Sequence, residues 1–206
     1  MAERRYQPVV EASVLLAVTF ALVVVLRLPT LWFLGPFAVV TFTRRPAATY
    51  GLTFEHPGSL GLHATVIVVV YVPYVLGHYA VADRWLRQPF RFGLPPGLTE
   101  YTLDQVLTIA LPEEFFFRGY LQTQCDRVWG RPYTLLGAKC GLGLPLAAML
   151  FTACRVFNGG PFSLSTLFPS LLYGWLRART DTIIVPTLYH AASNVLMQIM
   201  LESFNG

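Results

Sequence analysis

Long apolar runs, broken by short polar or basic punctuation, dominate the pattern along this chain. Residues 8–26 and 61–82 are each nearly continuous in apolar side chains, and residues 181–201 are predominantly apolar. A run of roughly 20 such residues is what a helix needs to cross a ~30 Å hydrocarbon layer. Residues 31–42 are apolar but short and contain Gly35-Pro36, which predicts a tilted short span or a half-helix. Residues 102 to about 126 predict a further helix, capped by Thr99 or Thr102. Residues 134–157 predict another, kinked at Gly141, Gly143 and Pro145, and residues 162–178 the next to last. The polar stretches at 43–60 and 83–99 read as connections, and "NGGP" at 158–161 as a turn. The strict alternation of a membrane β-barrel is absent. The expected fold is all-α: a polytopic membrane helical bundle of about six to seven transmembrane helices. Residues 1–206 are expected to form a single membrane-embedded domain.

Composition strengthens this picture. Hydrophobic residues make up 54% of the chain and charged residues only 13%, about half the charged share of an average soluble domain. The net charge of +4 rests on fourteen arginines and one lysine, Lys139. Most of these residues sit at the flanks of the apolar runs, where cytoplasmic ends of membrane helices carry them. They form no dense basic run, so nucleic acid is not an expected partner. The basic flanks do not by themselves fix an orientation. Cys125, Cys140 and Cys154 make no CxxC and no disulfide framework. The first apolar run has no small-residue cleavage site after it and reads as an anchor.

Against this background "LPEEFFFRGY" at 111–120 stands out, because it places three charges among aromatics. On an α-helix Glu114 and Arg118 are an i, i+4 pair on one face. Glu113 points about 100° away from Glu114 and has no local partner. A charge in hydrocarbon costs at least ~2.5 kcal/mol, so an unpaired carboxylate there points to chemistry, and a paired one equally to helix stitching. A second polar island, "LYHAASN" at 188–194, places His190 and Asn194 on one face of the last span. Either residue alone reads as interhelical glue. Together with Glu113 they are the parts of a site that activates water and binds an oxyanion. HExxH is absent, so the sequence predicts neither metal nor cofactor. Glu113, Glu114 and His190 still leave a metal-dependent protease as an alternative.

Two of these stretches carry a resemblance. "EEFFFRG" resembles the EExxxR motif of the CAAX protease and bacteriocin-processing family, intramembrane glutamic endopeptidases that include the type II CAAX prenyl proteases. "HAASN" resembles its HxxxN motif. The resemblance covers about residues 100–200, the expected protease-family core. "GYLQ" after the first motif looks like bacterial branches that process C-terminal sorting signals, including the myxosortases. The resemblance implies an intramembrane endopeptidase in which Glu113 is the base, Glu114 and Arg118 support it, and His190 and Asn194 bind the oxyanion or assist the water. The implied substrate is a membrane-anchored protein or peptide, and the implied place is the lipid bilayer of a bacterial plasma membrane. The family's middle motif, FxxxH, falls on "FTACR": Phe151 fits, but Arg155 stands where histidine is expected. Arginine stays protonated and cannot act as a base. This departure opens an alternative, an inactive binding or immunity protein on the same fold. His78 is a candidate to supply the missing imidazole, whereas His56 and His63 are expected to face water.

Overall fold

The apolar runs fold as seven helices in the computed structural model, which describes residues 2–85, 87 and 89–205. They are α1 (Ala2–Leu26), α2 (Leu31–Phe42), α3 (Leu60–Trp85), α4 (98–129), α5 (Gly143–Gly159), α6 (Leu167–Thr180) and α7 (Ile184–Asn205). The protein is an all-α helical membrane bundle. Among the described residues α1, α3 and α7 are long and apolar enough to cross a bilayer, and α2 is a shorter apolar helix. α5 and α6, at 17 and 14 residues, are short for a ~30 Å layer.

The outer surface shows why the chain is so apolar. Val10, Val14, Val18 and Leu22 recur every fourth residue on α1 and are all exposed. Such a stripe has no place in water but is the expected face toward lipid. The interior combines aromatics with charge. Trp32, Phe115, Phe116, Phe117, Tyr120 and Phe151 form the main cluster, while Glu113, Glu114, Arg118, Arg177 and His190 are buried beside it.

The helices alternate in direction. α1 begins and α2 ends at one end of the bundle, where Arg45 donates to Glu11 at 2.7 and 2.8 Å. α4 ends there too: Gln124 donates to Glu11 at 2.9 Å, and Tyr120 also donates to it. The bond to Glu11 pushes the Arg45 guanidinium above its ordinary pKa. Arg177 near the end of α6 donates to Thr49 O, and Ile183 N, just before α7, donates to Gly51 O. At the opposite end the start of α2 meets the last turns of α5, and the ends of α3 and α7 pack through Ala82, Met200 and Phe204. Of the fifteen Lys and Arg, nine belong to the first end by their place in the chain: Arg4, Arg5, Arg44, Arg45, Arg127, Arg131, Lys139, Arg177 and Arg179. Arg27, Arg84, Arg87 and Arg91 belong to the second.

One predicted span differs. Residues 134–142 are not the start of a kinked helix. Tyr133–Leu135 (β1) and Ala138–Cys140 (β2) pair antiparallel, with Leu135 opposite Ala138. Leu136 and Gly137 both take left-handed φ, 48° and 79°, the geometry of a two-residue hairpin turn. The hairpin lies on α6, where Trp175 Nε1 donates to Leu135 O at 2.9 Å. Gly141 and Gly143 do not kink a helix. A Cβ on Gly141 would fall 1.9 Å from Gly130 O, so this crossing of two backbones requires glycine. A short apolar run does not distinguish strand from helix by periodicity. Pro161–Thr166 form a short 3₁₀ helix before α6, whose α-helix starts at Leu167.

Candidate active site

Pro112 shapes the helix that carries the site. It has no N–H to give to the preceding turn, and its ring crowds the carbonyl there. Wide i→i+5 turns at Gln105–Ala110 and Phe115–Leu121 flank Leu111–Glu114. Such turns occur mostly as local bulges, often at functional sites.

From this segment Glu113 and Glu114 diverge as their spacing requires. Glu114 turns into the bundle and is fully buried. Arg118 Nη1 donates to its Oε1 at 3.0 Å. Arg118 Nη2 donates to the carbonyl and hydroxyl of Ser170 on α6 at 3.1 and 2.7 Å. The Arg118 guanidinium also lies over the Phe151 ring, 4.8 Å from its centroid. His190 on α7 approaches the same carboxylate: its Nδ1 lies 2.8 Å from Glu114 Oε1. A carboxylate accepts and does not donate, so Nδ1–H is the donor. Nε2 is then the free ring nitrogen, and it lies 3.8 Å from Glu113 Oε2. Tyr173 of α6 stacks on the imidazole, with centroids 5.1 Å apart and planes 18° apart. The Tyr173 hydroxyl donates to Ser193 Oγ at 2.7 Å.

Glu113 faces a different neighbour. Arg155 Nη2 on α5 donates to Glu113 Oε2 at 2.5 Å. The Glu113 side chain is 8% exposed and that of Arg155 37%. The two line an open cavity of about 150 Å³, together with Trp32, Phe117, Phe151, Cys154 and Asn158. The structure thus brings together Glu113, Glu114, Arg118, Arg155 and His190. Asn194 donates to Gln105 Oε1 at 2.8 Å, two turns before Glu113 on α4.

Other expectations need correction. His78 does not supply an imidazole here. It packs with Tyr74 and Phe204 on the seam between α3 and α7, and Phe204 lies fourteen residues, roughly 21 Å of helix, beyond His190. α3 meets α7 through Tyr71, whose hydroxyl donates to Tyr189 O, and through Tyr79, which packs on Phe204. His63 does not simply face water. It is half-buried, with Nδ1 3.0 Å from Tyr189 Oη and Nε2 2.9 Å from Pro57 O. His56 is exposed.

Sequence reasoning passed over Ser170, Tyr173 and Gln105. The first two were legible only as a serine and a tyrosine one helical turn apart in the apolar "FPSLLYGW". Gln105 carries no local signal. Among the described residues no three His, Cys, Asp or Glu side chains converge on one metal-sized position.

The family model described as type II CAAX prenyl endopeptidase Rce1-like matches residues 95–196. That stretch, about half of the chain, includes every α4 to α7 residue of the site. No curated protein and no solved structure gives a match.

Proposed function

This chain belongs to the CAAX protease family, on the match to its Rce1-like type II CAAX prenyl endopeptidases, and from that premise we propose that it is a glutamate-dependent endopeptidase. It is an integral membrane protein of a protease family that acts on membrane-anchored proteins within the bilayer. The further reading is that Glu113 takes a proton from a water molecule, and the resulting hydroxide attacks the scissile carbonyl. The C–O bond forms as the carbonyl becomes an oxyanion. The proton held on Glu113 then passes to the departing amine as the C–N bond breaks. No acyl-enzyme is formed.

The observation that carries this reading is the division of labour between the two glutamates. Glu114 is engaged inside the bundle through one oxygen: Arg118 and His190 Nδ1 both donate to its Oε1, while Oε2 is buried without a hydrogen-bond partner among the described residues. Its role is to fix the imidazole so that Nε2 is turned toward Glu113. Glu113 lies at the wall of an open cavity, where a base must meet its water. Arg155 takes the place of the family's histidine as a permanent positive charge beside Glu113, from where its guanidinium donates to the developing oxyanion. In this reading Asn194 is a second oxyanion donor, its amide oriented by Gln105. The sorting-signal type of substrate and a bacterial plasma membrane rest on the likeness of "EEFFFRGYLQ" to bacterial branches of the family.

Two observations bear on other readings. His190 turns different ring nitrogens to Glu113 and Glu114, and one ion cannot bind both nitrogens of one ring. A cation at Glu113 would also meet the Arg155 charge. This geometry weighs against a metal-dependent protease. The 2.5 Å contact of Arg155 with Glu113 favours the inactive alternative to the extent that the pair stays closed. Arg155 is the more exposed partner, so a substrate carbonyl entering the cavity can draw it away. The test is cleavage of a membrane-anchored substrate by the purified protein and by Glu113→Gln, both reconstituted in lipid.

A further inference from the structure

We infer that the catalytic cavity opens on the non-cytoplasmic side of the membrane, so that the bond this protein cuts belongs to an exported segment of its substrate. The inference rests on the protease reading above and extends it to the substrate class. Two observations carry it.

The first is the distribution of positive charge. Lys and Arg near the ends of spanning helices are retained on the cytoplasmic side, where the membrane potential and the anionic leaflet favour them. The basic residues are dispersed along the sequence, and only the fold sorts them. Nine gather at the end where α1, α3, α5 and α7 begin, against four at the other. The basic end is therefore cytoplasmic.

The second is the position of the cavity. It is walled by Pro29, in the α1–α2 turn, and by Asn158, in the last turn of α5. Both belong to the sparsely basic end. Arg155 lies four residues, about 6 Å, before the end of α5, and twelve residues, about 18 Å, from its start. Toward the basic end the way is filled by Phe116, Tyr120 and Tyr50, each fully buried. Water and substrate therefore reach Glu113 from the side opposite the basic flanks.

The substrate that fits is an integral membrane protein whose cut segment has crossed the membrane, with an anchoring helix beside it. A lipid-modified tail that stays in the cytoplasm would lie on the wrong face.

The test is accessibility in cells. Ser165, exposed in the 3₁₀ helix between α5 and α6, and Thr134, exposed in the hairpin, lie at opposite ends. Each is replaced singly by cysteine in the full chain. The wild-type chain sets the background, since Cys125 and Cys140 are buried and Cys154 is half-buried. With a membrane-impermeant maleimide, Ser165→Cys should label in intact spheroplasts as fully as after permeabilisation. Thr134→Cys should label only after permeabilisation. A second measurement needs no variant: trypsin should cut the wild-type chain at Arg87 or Arg91 in spheroplasts, and at Arg44 in inside-out vesicles. The reversed pattern in both would overturn the inference. Neither readout depends on turnover, so a lack of proteolysis would refute the protease reading without touching the orientation.

Discussion

Arg155 holds Glu113 at 2.5 Å from a neighbouring helix, and it does so from the more exposed side of the pair. A cation and a carboxylate at the wall of an open cavity make either a working site or a locked one. Which it is depends on whether the arginine gives way to substrate.

Arg155→Ala should lower cleavage by about 10²-fold or more, the scale on which a lost oxyanion donor is felt. Arg155→His should recover part of that loss, because imidazole also suits this position in the family. Rates for the three proteins on one lipid-reconstituted substrate decide the matter. If the wild type never cuts and Arg155→His does, the native protein is a binding module.

Glu113→Gln keeps the shape of the side chain and removes its basicity. Processing should fall below detection, while yield and thermal unfolding in detergent stay near wild type. Full activity in this variant would end the glutamate mechanism.

Glu114 and Arg118 should behave differently, because both are fully buried and each neutralises the other's charge. Glu114→Gln or Arg118→Met alone leaves an uncompensated buried charge, which costs about 3–5 kcal/mol. Lower yield and earlier unfolding should accompany lost activity. The double variant should recover much of the stability and none of the activity. Independent, additive losses would show that the pair is not coupled.

Asn194→Ala separates an oxyanion donor from a helix tie. A donor lost from the site should reduce cleavage by about 10²–10³-fold with the fold intact. If Asn194 only joins α7 to α4 through Gln105, then Gln105→Ala and Asn194→Ala should cost the same small amount of stability and little activity.

Strong chelators should leave the activity of the purified protein unchanged, and elemental analysis should find no stoichiometric zinc. Loss on chelation with rescue by zinc alone would point to the metal-dependent reading instead.

The local part of this architecture was written in the chain. A run of apolar residues with basic flanks dictates a membrane helix, because unpaired backbone is too costly in hydrocarbon. The i, i+4 spacing dictates the pairing of Glu114 with Arg118 and leaves Glu113 on another face. What sequence spacing cannot dictate is any contact between helices. That Arg155 meets Glu113, that His190 turns one nitrogen toward each glutamate, and that Ser170 accepts from Arg118 all arise from how α4 to α7 pack. The hairpin at Tyr133–Cys140 was hidden for a related reason: its strands are three residues each, too short for a period to declare itself, and its turn is held against α6. The sorting of the basic residues into two unequal ends was equally out of reach. It depends on the direction of every helix at once, and only the folded bundle sets that.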